Sequence, residues 1–156
     1  DVNDGLGGEG PYSAQRCGGL PTNAALRLME REQLSATTLL RQLNTRGGLY
    51  GYLGTDDGKE ISRRAGSGDE KARLVYEGMA YQVAKEIGAC AAVLRGKVDA
   101  IILTGGFARD KMFTGWIAER TRFLAEIVVM PGEDEQQALC AAALRVLLGQ
   151  EQALEY

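Results

Sequence analysis

Val98-Asp99-Ala100-Ile101-Ile102-Leu103-Thr104-Gly105-Gly106-Phe107-Ala108 is the stretch on which the fold turns. Val98, Ala100, Ile101, Ile102 and Leu103 make the short apolar run that a central parallel strand, covered on both faces, requires. The strand, expected over 98–104, enters a glycine pair, and from Ala108 to Arg122 the pattern turns polar with helical spacing. Strand, glycines, helix is an order that suits a nucleotide. Glycines let the backbone approach a phosphate or a ribose where a Cβ would clash, and the helix that follows presents unpaired N–H groups and the positive end of its dipole. The same order also builds an ordinary tight strand-to-helix turn, because a glycine pair is far less specific than a complete phosphate-binding loop.

Working outward, the second half alternates: strand 98–104, helix 110–122, strand 126–130, helix 134–148. An α/β fold with at least one parallel strand pair follows. Ligands of such sheets bind beyond the carboxyl ends of the strands, where Gly105-Gly106 and Pro131-Gly132-Glu133 both fall. Upstream, Asp69 is placed to cap a long helix running to about Arg95, with Gly96 closing it. Val75, Met79, Val83, Ile87, Cys90 and Leu94 form its expected core stripe, and Ala80, Ala84, Gly88 and Ala92 a second face of small residues that admits a close neighbour. Asp56-Asp57 starts a shorter helix ending near Gly66-Ser67-Gly68. Thr22 or Asn23 caps a helix to about Glu32, and Ser35 another to about Asn44, stopped by Gly47-Gly48. Leu49 to Gly54 reads as a turn or short extended piece. Residues 1–20 hold Gly5, Gly7, Gly8, Gly10, Gly18 and Gly19 with Pro11, a composition that resists regular structure and suits a long shaped loop.

The 156 residues suit one domain, and 45% apolar with 25% charged residues suits a soluble globular one. Lys and Arg number 18 against 21 Asp and Glu, a net charge of −3, so neither nucleic acid nor a membrane surface is an expected partner. No apolar stretch approaches a membrane span, and Asp1-Val2-Asn3-Asp4-Gly5 does not look like a signal peptide. The lack of an initiator Met suggests a fragment or processed chain. Cys17, Cys90 and Cys140 are too few and too far apart for a disulfide framework, so a reducing, cytoplasmic setting is expected, with Cys90 and Cys140 as core thiols. With no histidine, a Ser-His-Asp triad, a Cys-His pair and a histidine metal site are all excluded within this sequence.

Four segments carry a resemblance: Asp1-Val2-Asn3 leading to Gly8-Glu9-Gly10-Pro11-Tyr12-Ser13-Ala14-Gln15-Arg16, Gly47-Gly48-Leu49 to Asp57-Gly58, Ile102-Leu103-Thr104-Gly105-Gly106, and Pro131-Gly132-Glu133-Asp134-Glu135. In this order, with the long helix between the second and third, they resemble the butyrate kinases of the acetate kinase family. The resemblance covers nearly the whole chain and matches only the C-terminal half of such enzymes. It implies the second half of an actin-like ATPase (ribonuclease H-like) two-domain kinase fold, residues 1–156 forming a single nucleotide-binding domain. It further implies transfer of the ATP γ-phosphoryl group to a short-chain fatty acid, giving an acyl phosphate and ADP, with magnesium as cofactor and a homo-oligomer in the whole protein.

The roles that follow are those the resemblance implies. Arg16 matches the active-site arginine, whose planar fork holds a carboxylate or phosphoryl group in a fixed pose. Gly105, Gly106, Phe107 and Ala108 match the adenosine-contact turn. Asp57, Gly58 and Lys59 lie where relatives place residues around adenine and ribose; a solvated helix start is the other reading of the acidic pair. Glu133, Asp134 and Glu135 match an acidic turn associated with magnesium, and acidic residues in a first helical turn are equally ordinary dipole partners. Gly7 and Gly8 stand where acetate kinases carry a proline against the acyl group, which leaves room for butyrate, isobutyrate or propionate. Two rival functions remain: an ATP-dependent binding or regulatory module of the same superfamily, without acyl kinase activity, and a nucleotide-free interaction domain.

Overall fold

The structure is a computed structural model that describes residues 3–132 and 135–153. Its elements run α1 (Thr22–Glu32), α2 (Ala36–Thr45), α3 (Gly48–Leu53), α4 (Gly58–Gly66), α5 (Glu70–Val93), β1 (Ala100–Gly105), a 3-10 turn (Gly106–Arg109), α6 (Lys111–Thr121), β2 (Glu126–Pro131) and α7 (Glu135–Leu147). No helix is long and apolar enough to cross a membrane, among the described residues.

The long helix α5 organises the rest, with α4 and α6 packed against it and α3 touching it. Its ends are where the sequence puts them. Asp69 accepts the Ala72 N–H at 2.9 Å as the N-cap, and the Gly96 N–H donates back to the Ala91 carbonyl at 2.8 Å. The N-cap carboxyl of Asp69 is held below its usual range by the Ala72 N–H and by the hydrogen bond from Arg64.

The buried line of α5 differs from the expected stripe. Met79 is buried, but its companions are Ala72, Tyr76, Ala80, Ala84 and Ala91, while Val75, Val83 and Ile87 pack at the edge of the core and Leu94 is exposed. Two helices lie close on either side, and small residues permit that approach where a valine stripe would hold them off. Tyr76 is the centre of the core. Its ring stacks on Phe113 at 5.0 Å between centroids and meets Trp116 edge-on at 5.7 Å, with Leu49, Ile61 and Ile117 buried around it.

Strands β1 and β2 pair in parallel, Ala100 opposite Glu126 through Gly105 opposite Pro131, as the α/β alternation demands. The expected burial of β1 on both faces does not hold: Ile101 is buried, whereas Ile102 is 60% exposed. Among the described residues the sheet has these two strands alone.

Four further expectations are corrected. Leu49 to Gly54 is neither turn nor strand but lies in and just after the helix α3. Gly47 begins that helix rather than merely stopping α2, which ends at Thr45. Pro21, not Thr22 or Asn23, occupies the N-cap of α1, and no side chain caps that helix. Cys140 is exposed and Cys90 half-buried, so neither is a fully buried core thiol.

Candidate nucleotide site

The start of α4 and the turn after β1 meet across a cavity of about 1020 Å³. Their contact depends on one missing side chain. A Cβ on Gly58 would stand 2.8 Å from the Phe107 ring, closer than carbon atoms can lie, so only glycine lets the ring in. Phe107 in turn rests on the core, 6.1 Å from Tyr76 and 5.6 Å from Phe113 between centroids. Gly105 has φ +85°, a conformation costly for any residue with a Cβ, and open space where that Cβ would point. It is therefore bent, with open space beside it.

The polar walls separate into two kinds. Asp57 caps α4, its Oδ1 accepting from the N–H groups of Lys59 at 2.9 Å and Glu60 at 3.3 Å. Asp110 caps α6, accepting from Met112 at 2.8 Å and Phe113 at 3.4 Å, and its other oxygen takes the Tyr76 hydroxyl at 2.8 Å. Burial, then the hydrogen bond to Asp110, pushes the Tyr76 phenol far above its ordinary range, so it stays a neutral donor. The third carboxylate on the cavity, Asp56, accepts the side-chain amide of Gln15. Lys59, Arg63, Arg109 and Lys111 also line the cavity, and among the described residues none of them is ion-paired.

The expected phosphate cradle at the helix start is thereby corrected. The glycine pair does not open α6 directly: the 3-10 turn Gly106–Arg109 intervenes, and Asp110 already occupies the first free N–H groups of the helix. What the turn presents to the cavity is Gly106 and Phe107. Ala108 is buried beneath it.

The carboxyl ends of the two strands converge, for the Gly105 N–H donates to the Gly132 carbonyl at 3.1 Å. The turn matched to adenosine thus adjoins the start of the acidic turn. Glu133 and Asp134 themselves fall outside the described residues, as does the side chain of Glu135. Among the described residues no cluster of acidic or cysteine side chains stands ready to hold a metal ion.

Arg16 is exposed on the glycine-rich loop, without an ion-pair partner among the described residues. Its guanidinium folds over Gly5, Nη1 lying 3.1 Å from where a Cβ would stand. Gly7 and Gly8 have a local reason to be there. A Cβ on Gly7 would strike the Asp4 carboxylate, which accepts the Gly7 N–H at 2.9 Å, and Gly8 has φ +89°. Room for an acyl tail is not needed to explain either. Away from these groups, a hollow of about 810 Å³ runs along α1, lined by Leu20, Ala24 and Leu28 together with Asn23, Arg27, Glu30 and Arg31.

Sequence reasoning did not single out Tyr76, Asp110, Gln15 or the cavity's other cations. Asp110 was within reach, as a carboxylate directly before a helical pattern; the others face the cavity only through the tertiary fold.

The profile of the acetokinase family matches residues 8–126, which include Arg16 and both walls of the cavity. The chain belongs to the acetokinase family. All of its 156 residues align at 46% identity with a probable butyrate kinase of Listeria monocytogenes and with butyrate kinase 2 of Clostridium acetobutylicum, covering 44% of each. The chain thus spans less than half the length of these relatives. Among solved structures it is similar to the acetate kinase of Porphyromonas gingivalis (TM-score 0.79, 23% identity, 89% of this chain and 41% of that one). It is also similar to a propionate kinase from Francisella tularensis (TM-score 0.70, 22% identity, 81% and 38%). The fold of this acetokinase chain is accordingly that of the acetate kinases, an actin-like ATPase fold.

Proposed function

We propose that the protein carrying this chain phosphorylates a short-chain carboxylate with ATP, butyrate giving butyryl phosphate and ADP, and that this chain supplies the nucleotide-binding half. The observation that carries the reading is the meeting of Gly58 with Phe107. Two segments 49 positions apart, each matched separately to the nucleoside, line one cavity of about 1020 Å³, close to the upper end of the range for small-molecule sites. The butyrate kinases that match the whole chain support the acyl acceptor, and propionate or isobutyrate differ from it by too little to be rejected strongly, since one methylene is worth about 1–3 kcal/mol.

In the reaction a carboxylate oxygen attacks the γ-phosphorus, the bond from that phosphorus to its bridging oxygen breaks, and the electron pair leaves with ADP. Phe107 and the bare backbone at Gly105 and Gly106 would hold the nucleoside, with Asp57 and Lys59 at its edge. Arg16, free of carboxylate partners among the described residues, would hold the two reacting anions together and offset the charge that spreads over the phosphoryl oxygens. A magnesium ion, when bound, would neutralise phosphate charge; the turn Glu133, Asp134, Glu135 has the hard oxygen donors for it.

The test is a phosphotransfer assay on the whole protein, trapping the acyl phosphate. Arg16→Ala should lower kcat on the order of 10²–10³-fold while the KM for ATP changes little. Retention of most turnover would return Arg16 to the status of a surface residue.

A further inference from the structure

The turn that carries Arg16 is clamped at the backbone and reaches the nucleotide cavity through one neighbouring side chain. Its carbonyls at Ser13, Ala14 and Gln15 accept the N–H groups of Leu49 at 2.9 Å, Tyr50 at 2.9 Å and Gly47 at 2.8 Å, and the Cys17 N–H donates to Leu43 at 2.9 Å. Tyr12 pins the same loop to α5, its hydroxyl donating to the Val75 carbonyl at 2.5 Å and its N–H to Gln82 at 3.0 Å. With the main chain fixed at both sides, Gln15 and Arg16 remain exposed side chains. Gln15 spans 41 positions of sequence to give its amide to Oδ2 of Asp56, a carboxylate on the cavity wall.

From this bridge we infer that Gln15 is a positioning residue, which ties the pose of the Arg16 turn to occupation of the nucleotide cavity through Asp56. The inference rests on the kinase reading above. A nucleotide donating a ribose hydroxyl or base N–H to Asp56 fixes the rotamer of a carboxylate whose other oxygen already holds Gln15. On a turn whose main chain is already clamped, ordering the Gln15–Asp56 pair limits the freedom left to the exposed side chains, so the carboxylate substrate meets an Arg16 with less freedom to lose. Such coupling is reciprocal: nucleotide tightens carboxylate binding by the factor with which carboxylate tightens nucleotide binding.

The experiment measures butyrate dissociation from the whole protein with and without saturating ADP. In the unaltered protein ADP should tighten butyrate by roughly fivefold or more, the lower end of measured couplings. Gln15→Ala and Asp56→Ala should each bring that ratio close to one. The reciprocal pair Gln15→Glu with Asp56→Asn restores an amide-to-carboxylate hydrogen bond with its polarity reversed, and should recover the coupling that Gln15→Glu alone loses. A merely structural role for Gln15 would weaken binding of both ligands and leave the ratio unchanged. An unaltered protein that binds both ligands without coupling, single variants that keep the full ratio, or an exchange no better than its single changes would each overturn the inference while leaving the kinase intact. Failure of the unaltered protein to bind ADP at all would overturn the kinase reading and this inference with it.

Discussion

Tyr76 and Ile102 are both large residues in regular elements, yet the first is completely buried and the second 60% exposed. The contrast extends to their surroundings. Around Tyr76, helices α3 to α6 enclose a shared core with stacked and edge-on aromatic contacts. On the face of Ile102, its partner Val128 is 36% exposed and Met130 58% exposed. The helical layer satisfies its apolar pattern from within. The sheet side leaves large apolar residues open to solvent among the described residues.

The largest expected effect separates the two sides directly. Tyr76→Ala should cost about 3–5 kcal/mol, because a fully buried ring is lost and Asp110 loses a donor, whereas Ile102→Ala should cost only about 0.5 kcal/mol. Urea unfolding of the two variants gives the comparison, and a large cost at Ile102 would show that its face is covered in solution. Next in size, Gly58→Val should cost about 1–3 kcal/mol of stability through overpacking against Phe107. It should also weaken ADP binding in calorimetric titration. Adding Phe107→Ala should recover the stability but not the binding, if the ring is part of the site.

A smaller change tests the far end of α5. Nothing lies within 4 Å of where a Cβ on Gly88 would stand, so Gly88→Ala should stabilise by about 0.5–1 kcal/mol. A loss instead would reveal a close neighbour on that face. The smallest effect is a pH dependence. Burial, then the charge of Tyr52, pushes the Tyr12 phenol from 10.0 up to about 12. A phenol raised in the folded state leaves stability unchanged below pH 10 and removes it as pH climbs from 10 towards 12. Tyr12→Phe should flatten that decline, followed by unfolding at stepped alkaline pH.

The parts of the fold legible in sequence are those whose signal is local. The apolar run before Gly105, the Asp69 cap and the closing Gly96 each declare an element within a few residues of its end. Helix α3 is invisible by the same logic, since Gly48-Leu49-Tyr50-Gly51-Tyr52-Leu53 is a poor helix former. It forms because carbonyls of the distant loop at Ser13 and Ala14 take up its first N–H groups. On α5 the expected small-residue face holds at Ala80 and Ala84, which are buried, though Ala92 is exposed, and of the expected large-residue stripe Met79 is buried while Val75, Val83 and Ile87 flank the core. Of the candidate site, the turn at Gly105 to Ala108 and the pair Asp57-Gly58 were legible through their motifs. That Gly58 exists to admit Phe107, and that Gln15 reaches Asp56, depends on contacts across 41 to 49 positions that no local pattern records.

Asp110 closes the start of α6 with one oxygen and steadies the Tyr76 hydroxyl with the other. The core and the cavity wall consequently cannot drift apart during evolution: a substitution at position 76 is felt once as lost packing and again as a slackened wall. Lys59, Arg63 and Lys111, exposed on the same cavity and bound to no carboxylate among the described residues, carry no such double duty. Substitution has its freedom there, at the rim, while the floor of the cavity stays hostage to the stability of the whole helical layer.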